Sequence, residues 1–265
     1  MNSKTKPRLA ASNYLNTAPL IWSFKHGGRK DDVNLVDALP SSCADLLARH
    51  EVDFALVPAI EYQRIEDATL IPGVCVGSRQ KVRSVVLVSR LNNLKKVRSV
   101  ALDDSSRTSA ALVTIIFKEF LGFEPAWATR SPDLKQMLRD NDAALIIGDP
   151  AMTFAREGLR VWDLAALWHD FTGLGFVFAM WMAGATVGPS PPIDFVQACN
   201  EGLGQRNEII DHYEQRLGLS RSELETYLTE NITFFLDDDL RKGLTLYYKL
   251  AYKHGLTLKL KPLNL

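Results

Sequence analysis

Short apolar runs rich in β-branched residues alternate with amphipathic stretches along almost the whole chain, and this alternation points to an α/β architecture. The candidate strands are Leu9 to Ser12, Asn34 to Ala38, Phe54 to Val57, Ser84 to Ser89, Ser99 to Leu102, Ala126 to Thr129, Ala144 to Ile147 and Phe176 to Met182. Helix signals lie between them. Ser41 and Ser42, after Pro40, offer N-cap oxygens for a helix through Leu46 and Leu47 that ends near Arg49 and His50, where a cation suits the dipole. A longer helix is predicted from about Arg107 to Ser109, through Leu112, Ile116 and Phe120, with Gly122 as its stop. Beyond Pro189, Pro191 and Pro192 a long helical pattern runs through Val196 to Leu217. Gly218 punctuates it, and helices over Ser222 to Glu230 and Asp238 to His254 follow.

No repeat or Pro/Gly-rich linker separates consecutive domains, so two lobes are expected to interleave. The strands near Val85 to Ser89 and Phe178 to Met182 bracket a self-sufficient βαβαβ block. This predicts one lobe from residues 1–88 with 180–265 and another from 89–179, with a ligand cleft between them.

Lysine plus arginine balances aspartate plus glutamate at 31 each. No global field pulls such a chain onto nucleic acid or a membrane, so neither is an expected partner and an anionic small molecule must be held by local groups. The stretch Met1 to Arg8 has no apolar core of a secretory signal, and no apolar run reaches membrane-spanning length. A cytoplasmic location is the expectation. Cys43, Cys75 and Cys199 lack paired spacing and read as buried reduced thiols. The five histidines show no HExxH pattern, and neither a Walker loop nor a GxGxxG follows strand one. No metal or cofactor is expected.

Candidate site residues stand at strand ends, where α/β proteins place ligands. Ser12, Tyr14, Asn16 and Thr17 form a polar loop leading into Pro19, which suits the first turn of a helix. Ser41 and Ser42 on one lobe, and Ser105, Ser106, Thr108 and Ser109 on the other, would each set free N–H groups and hydroxyls at a helix start. Together they would make two facing anion sites. Arg83 and Ser84 lie at the entry to a crossing strand, and Asp149 follows the buried run Leu145 to Ile147. Ordinary capping or surface pairing accounts for any one of these alone. His169-Asp170 has no placed nucleophile beside it and reads as a turn or cap.

The same places carry a resemblance. S-N-Y-L-N-T-A-P-L at Ser12 to Leu20, D-F-A-L-V-P-A-I-E-Y at Asp53 to Tyr62, I-P-G-V-C-V-G-S-R at Ile71 to Arg79, V-R-S-V at Val82 to Val85, A-L-D-D-S-S-R-T-S at Ala101 to Ser109 and I-I-G-D-P-A at Ile146 to Ala151 resemble the menaquinone-pathway chorismate dehydratases. These are sisters of the 1,4-dihydroxy-6-naphthoate synthases. Leu167 to Trp181 also looks familial, with Gly175 where proline is expected. The resemblance implies a two-lobed type 2 periplasmic-binding-protein-like fold used as an enzyme. It implies conversion of chorismate to 3-[(1-carboxyvinyl)oxy]benzoate and water without a cofactor, in the futalosine route. It also implies Asn16 and Ser84 as active-site residues. An asparagine amide cannot act as a base at neutral pH and an unactivated serine is a poor one, so both are expected to orient substrate. The proton is then taken by the enolpyruvyl carboxylate of chorismate itself or, alternatively, by Glu61 or Asp149. The rivals are the sister enzyme, for which a catalytic histidine is expected, and a non-catalytic solute-binding protein or the effector lobe of a regulator.

Overall fold

In the computed structural model, which describes residues 6–188 and 193–264, the strands assemble into two sheets. The first contains β1 (Arg8–Ala11), β2 (Asn34–Asp37), β3 (Phe54–Pro58), β4 (Thr69–Ser78), β10 (Phe176–Ala183) and β11 (Thr233–Phe235), in the order β11-β4-β10-β3-β1-β2. The second contains β5 (Val85–Ser89), β6 (Ser99–Asp103), β7 (Ala126–Arg130), β8 (Ala143–Ile147) and β9 (Arg160–Asp163), in the order β7-β6-β8-β5-β9. Within each sheet β2-β1-β3 and β7-β6-β8 run parallel. Each parallel set is extended by an antiparallel strand that has just crossed from the other sheet, β10 against β3 and β5 against β8. Both crossing strands are near-continuous apolar runs, as strands covered on both faces must be.

Sheet membership puts the crossings before Val85 and before Phe176, a few residues ahead of the boundaries expected at 88/89 and 179/180. One carboxylate joins the two connections. Asp163, at the end of β9, accepts from the N–H groups of Val82 (3.1 Å) and Arg83 (2.6 Å) in the outgoing connection. It also caps the returning helix Leu164–Thr172 through Ala165 and Ala166. Arg83 adopts φ 62 there, in the left-handed region uncommon for a non-glycine residue.

Every strand expected from the sequence is present, and three others are added. In β4 the breakers Pro72 and Gly73 (φ 86) sit within the strand. Pairing with β10 is irregular between Met180–Cys75 and Met182–Leu70, so the breakers are taken up in a bulge. β9 and β11 are short edge strands. Among the helices, α1 (Ala18–Lys25) has Pro19 in its first turn as expected, and α2 spans Pro40–Ala48. The N-cap of α2 is Leu39, with no side-chain cap bond, so Ser41 and Ser42 stand inside the first turn rather than capping it. The helix α3 (Arg107–Ile115) continues as a π-helix to Leu121 and stops at Gly122, whose φ of 78 supplies the left-handed C-cap. The long pattern over Val196 to Leu217 divides at Gln205 into Phe195–Gly204 and Arg206–Leu217. Pro189, Pro191 and Pro192 lie outside the described residues. Cys43, Cys75 and Cys199 are buried free thiols, and among the described residues no helix is long and apolar enough to cross a membrane.

Candidate active site

Where the two sheets face each other, residues from both line one cleft, the kind of place where α/β proteins hold small molecules. The turn after β1 supplies Ser12, Tyr14, Asn16 and Thr17 to its wall. The start of α3 supplies Ser106, Thr108 and Ser109, and the start of α2 supplies Pro40. The remaining wall is apolar: Leu56 and Pro58 of β3, Val76 of β4, Val85 of β5, Ile147 of β8, and Phe178 and Ala179 of β10.

Local chemistry explains each position. The hydroxyl of Thr17 donates to the Tyr14 carbonyl (2.8 Å) and the Thr17 N–H to the same oxygen (3.1 Å), curling the chain into a single 3-10 turn over Leu15–Thr17. Asn16 is carried on that turn. Its Oδ1 is buried without a hydrogen-bond partner, an arrangement that costs free energy unless a ligand group completes it. Across the cleft, Asp103 accepts from the N–H (2.9 Å) and hydroxyl (2.6 Å) of Ser105. This turn sets Ser106 as the N-cap of α3, with no side-chain cap bond, so the first N–H groups of α3 lack intrahelical acceptors. Thr108 bridges the halves: its Oγ1 accepts from the Ile60 N–H (3.1 Å), while its carbonyl accepts from the Tyr247 hydroxyl (3.0 Å).

The structure thus brings Ser12, Tyr14, Asn16, Thr17, Ser106, Thr108 and Ser109 to one surface. It does not bring the other candidates there. Ser41 is half-buried and Ser42 exposed, and neither lines the cleft. The guanidinium of Arg83 pairs with Glu223 (2.6 Å) rather than facing a ligand. Ser84 is fully buried just behind Val85, and its Oγ accepts from the Tyr227 hydroxyl (2.6 Å). Ser105 turns inward to Asp103. Asp149 accepts from the Leu15 N–H (2.9 Å) behind the wall, not from the first turn of its own short helix, whose N-cap is Ile147. Glu61 is buried but ion-paired to Arg64 (2.9 Å) and Arg107 (3.1 Å), outside the cleft.

Among the described residues, then, the wall carries one titratable side chain, Tyr14. Burial first, then the nearby Asp103 and Asp149, pushes its phenol up to about 12. At neutral pH it is a neutral hydrogen-bonding group. The cleft can orient and hydrogen-bond an anion, but it offers no histidine or carboxylate to take a proton.

Sequence reasoning missed the apolar wall. Alternation along β3 was the available signal, since Leu56 and Pro58 share a face. It also missed Tyr227, which lies on a π-helical turn (Tyr227–Asn231) that the pattern of a single continuous helix concealed.

The Arg83–Glu223 pair yields a pH prediction. The Arg83 guanidinium first, then the N–H and hydroxyl of Ser220, hold the Glu223 carboxyl down at about 2, below its ordinary 4.5. A depressed pKa contributes stability that is complete above 4.5 and drops away as the pH falls towards 2. Glu223→Gln should therefore lower the thermal midpoint at neutral pH, and the gap from wild type should narrow through that acid window. A gap independent of pH would mean the pair contributes nothing.

A family model for menaquinone biosynthesis matches residues 7–253. The chain belongs to the menaquinone biosynthesis family. Within this family's curated relatives, the chorismate dehydratase of Thermus thermophilus is 32% identical over 96% of this chain and 97% of its own. That of Campylobacter jejuni is 31% identical over 63% of each. Solved structures establish the fold. A protein from Archaeoglobus fulgidus superposes with TM-score 0.76 at 16% identity, covering 96% of this chain and 100% of its own. The periplasmic aliphatic sulphonate binding protein SsuA of Escherichia coli gives 0.64 at 17%, covering 99% and 94%. This family member accordingly has the two-lobed periplasmic-binding-protein-like fold expected from its sequence.

Proposed function

We infer that the protein is a chorismate dehydratase, a hydro-lyase that converts chorismate to 3-[(1-carboxyvinyl)oxy]benzoate and water in the futalosine route of menaquinone biosynthesis, acting in the cytoplasm. The observation that carries this reading is the character of the cleft: polar orienting groups at two helix starts, an unpartnered Asn16 amide oxygen, and no ionised side chain on the wall among the described residues. The near full-length identity to the Thermus enzyme supports it.

Chorismate brings two carboxylates. The N–H groups and hydroxyls at the start of α3 suit one of them, since a helix start favours negative charge. Dehydration removes the ring hydrogen from the carbon that bears the enolpyruvyl ether, together with the neighbouring hydroxyl. The ring becomes aromatic, so the step runs downhill and needs orientation and charge stabilisation more than a strong acid. Asn16 and the cleft hydroxyls orient and hydrogen-bond substrate oxygens. Glu61 is held by two arginines and Asp149 lies behind the wall, which favours the enolpyruvyl carboxylate of the substrate as the base. The same lack of a wall histidine speaks against the naphthoate-synthase reading.

The test is incubation with chorismate, without added metal or nucleotide, followed by liquid chromatography with mass detection. Loss of one water to give the enolpyruvyl benzoate is the expected result. Chorismate recovered unchanged from folded protein would overturn the reading in favour of a binding protein, and consumption of a cyclic futalosine derivative would favour the sister enzyme.

A further inference from the structure

Two consecutive residues after β8, Gly148 and Asp149, grip two consecutive residues of the turn after β1, Tyr14 and Leu15. The two pairs belong to different sheets. On one side, Asp149 Oδ1 accepts from the Leu15 N–H at 2.9 Å, in a bond buried from solvent. On the other, Tyr14 lies flat against Gly148, and a Cβ added there would stand 2.9 Å from the Tyr14 ring. Gly148 has φ 66 and so needs to be glycine both for its backbone and for this approach. Its N–H donates to the Ser84 carbonyl (2.8 Å), which ties the grip to the connection between the sheets. The next residue along the gripped turn is Asn16, the wall residue with the unpartnered amide oxygen.

We propose that Gly148 and Asp149 form a closure clamp, with Asp149 a positioning residue that fixes Asn16 in the cleft when the two halves meet. This rests on the reading of the cleft as a chorismate dehydratase site. The bond to Leu15 spans the two halves, so it exists only when they are together. It immobilises the main chain one residue from Asn16, so closure and the placement of the Asn16 amide become one event. Asp149 itself does not touch the cleft surface. Its second oxygen lies 3.6 Å from the Arg216 guanidinium, which in turn rests over the Tyr213 ring, and the Tyr213 hydroxyl reaches the Asn13 carbonyl (3.4 Å) in the same turn. The charged and titratable groups around the carboxylate are therefore Arg216, Tyr213, Tyr14 and Tyr227. Burial raises the Asp149 pKa, against the pull of the Leu15 N–H and Arg216. Its second oxygen is buried without a hydrogen-bond partner, so the Leu15 N–H is the one hydrogen bond the side chain makes.

The experiment combines amide hydrogen exchange at Leu15 with a double-mutant cycle on turnover. Asp149→Ala should speed Leu15 exchange at least tenfold and lower kcat/KM by about 10- to 100-fold, the usual span for a lost hydrogen bond to a charged acceptor. Asp149→Asn keeps an acceptor oxygen and should recover most of both losses. In the cycle, Asn16→Ala should cost far less on the Asp149→Ala background than on wild type, because the two residues act as one unit. Gly148→Ala loosens the clamp from its other jaw and gives the same exchange readout should Asp149→Ala fail to fold. Unchanged Leu15 exchange in a folded Asp149→Ala protein would overturn the clamp. Faster exchange with fully multiplicative effects on turnover would overturn its coupling to Asn16. A wild type that leaves chorismate untouched would instead remove the functional reading, while Leu15 exchange would still decide the clamp.

Discussion

Asn16→Ala is expected to lower kcat/KM for chorismate by about 100- to 1000-fold, the range seen when one preorganised hydrogen-bonding group is removed from a reacting centre, while moving the thermal midpoint by no more than about 2 °C. The separation of the two effects follows from the position of the side chain. Asn16 Oδ1 is buried with no partner, so the folded protein already carries the cost of desolvating it and alanine removes that cost. What alanine also removes is the group that would meet the substrate. Asn16→Asp would be worse than a neutral loss, since it would set a carboxylate against a dianion. Ser84→Ala should behave differently. It leaves the buried Tyr227 hydroxyl without its 2.6 Å acceptor, so stability should fall together with activity, by about 1–3 kcal/mol. An Asn16→Ala protein that keeps its turnover and loses its stability would reverse the assignment and make Asn16 a structural residue.

That contrast between Asn16 and Ser84 also marks how far the sequence could be read. Asn16 follows a strand and precedes a proline-started helix, a local pattern that places a polar side chain at a strand end, and the fold puts it on the cleft wall. Ser106, Thr108 and Ser109 were legible for the same reason: a helix start after a parallel strand faces the ligand side of the sheet. Long-range pairing has no such local signature. Nothing near Arg83 announces that Glu223 will meet it 140 residues later, and nothing near Asp149 announces the Leu15 N–H, 134 residues earlier. Both side chains stood out as charged groups at strand ends, and both were taken up by partners only the tertiary fold could supply. The strands behave alike. Buried β5 and β10 announce themselves by continuous apolar runs, whereas the edge strands β9 and β11 are too short for a period, and Pro72-Gly73 disguises β4.

Two glycines in one helix should answer the same substitution with opposite signs. Gly202 and Gly204 lie in Phe195–Gly204, which packs against α1. A Cβ at Gly202 would stand 2.1 Å from the Pro19 carbonyl oxygen and 2.9 Å from its carbon, whereas a Cβ at Gly204 would meet nothing within 4 Å. At Gly202 the obstacle is backbone, so no rotamer change relieves it and the helices must separate along their contact. Gly202→Ala is expected to cost about 3 kcal/mol, the upper part of the range for overpacking, and to lower the thermal midpoint by roughly 10 °C. Gly204→Ala should be neutral or raise the midpoint slightly, because alanine sheds less chain entropy on folding than glycine. The Gly202 variant should also lose turnover at temperatures where it remains folded, since Pro19 begins the helix that follows the Asn16 turn and a displaced α1 carries that turn with it. Thermal unfolding of the two proteins with turnover at 25 °C would check both effects. Equal midpoints would mean that α1 yields freely, and a helix free to yield could not hold Asn16 in place, so the same pair of variants probes both the packing and the site built on it.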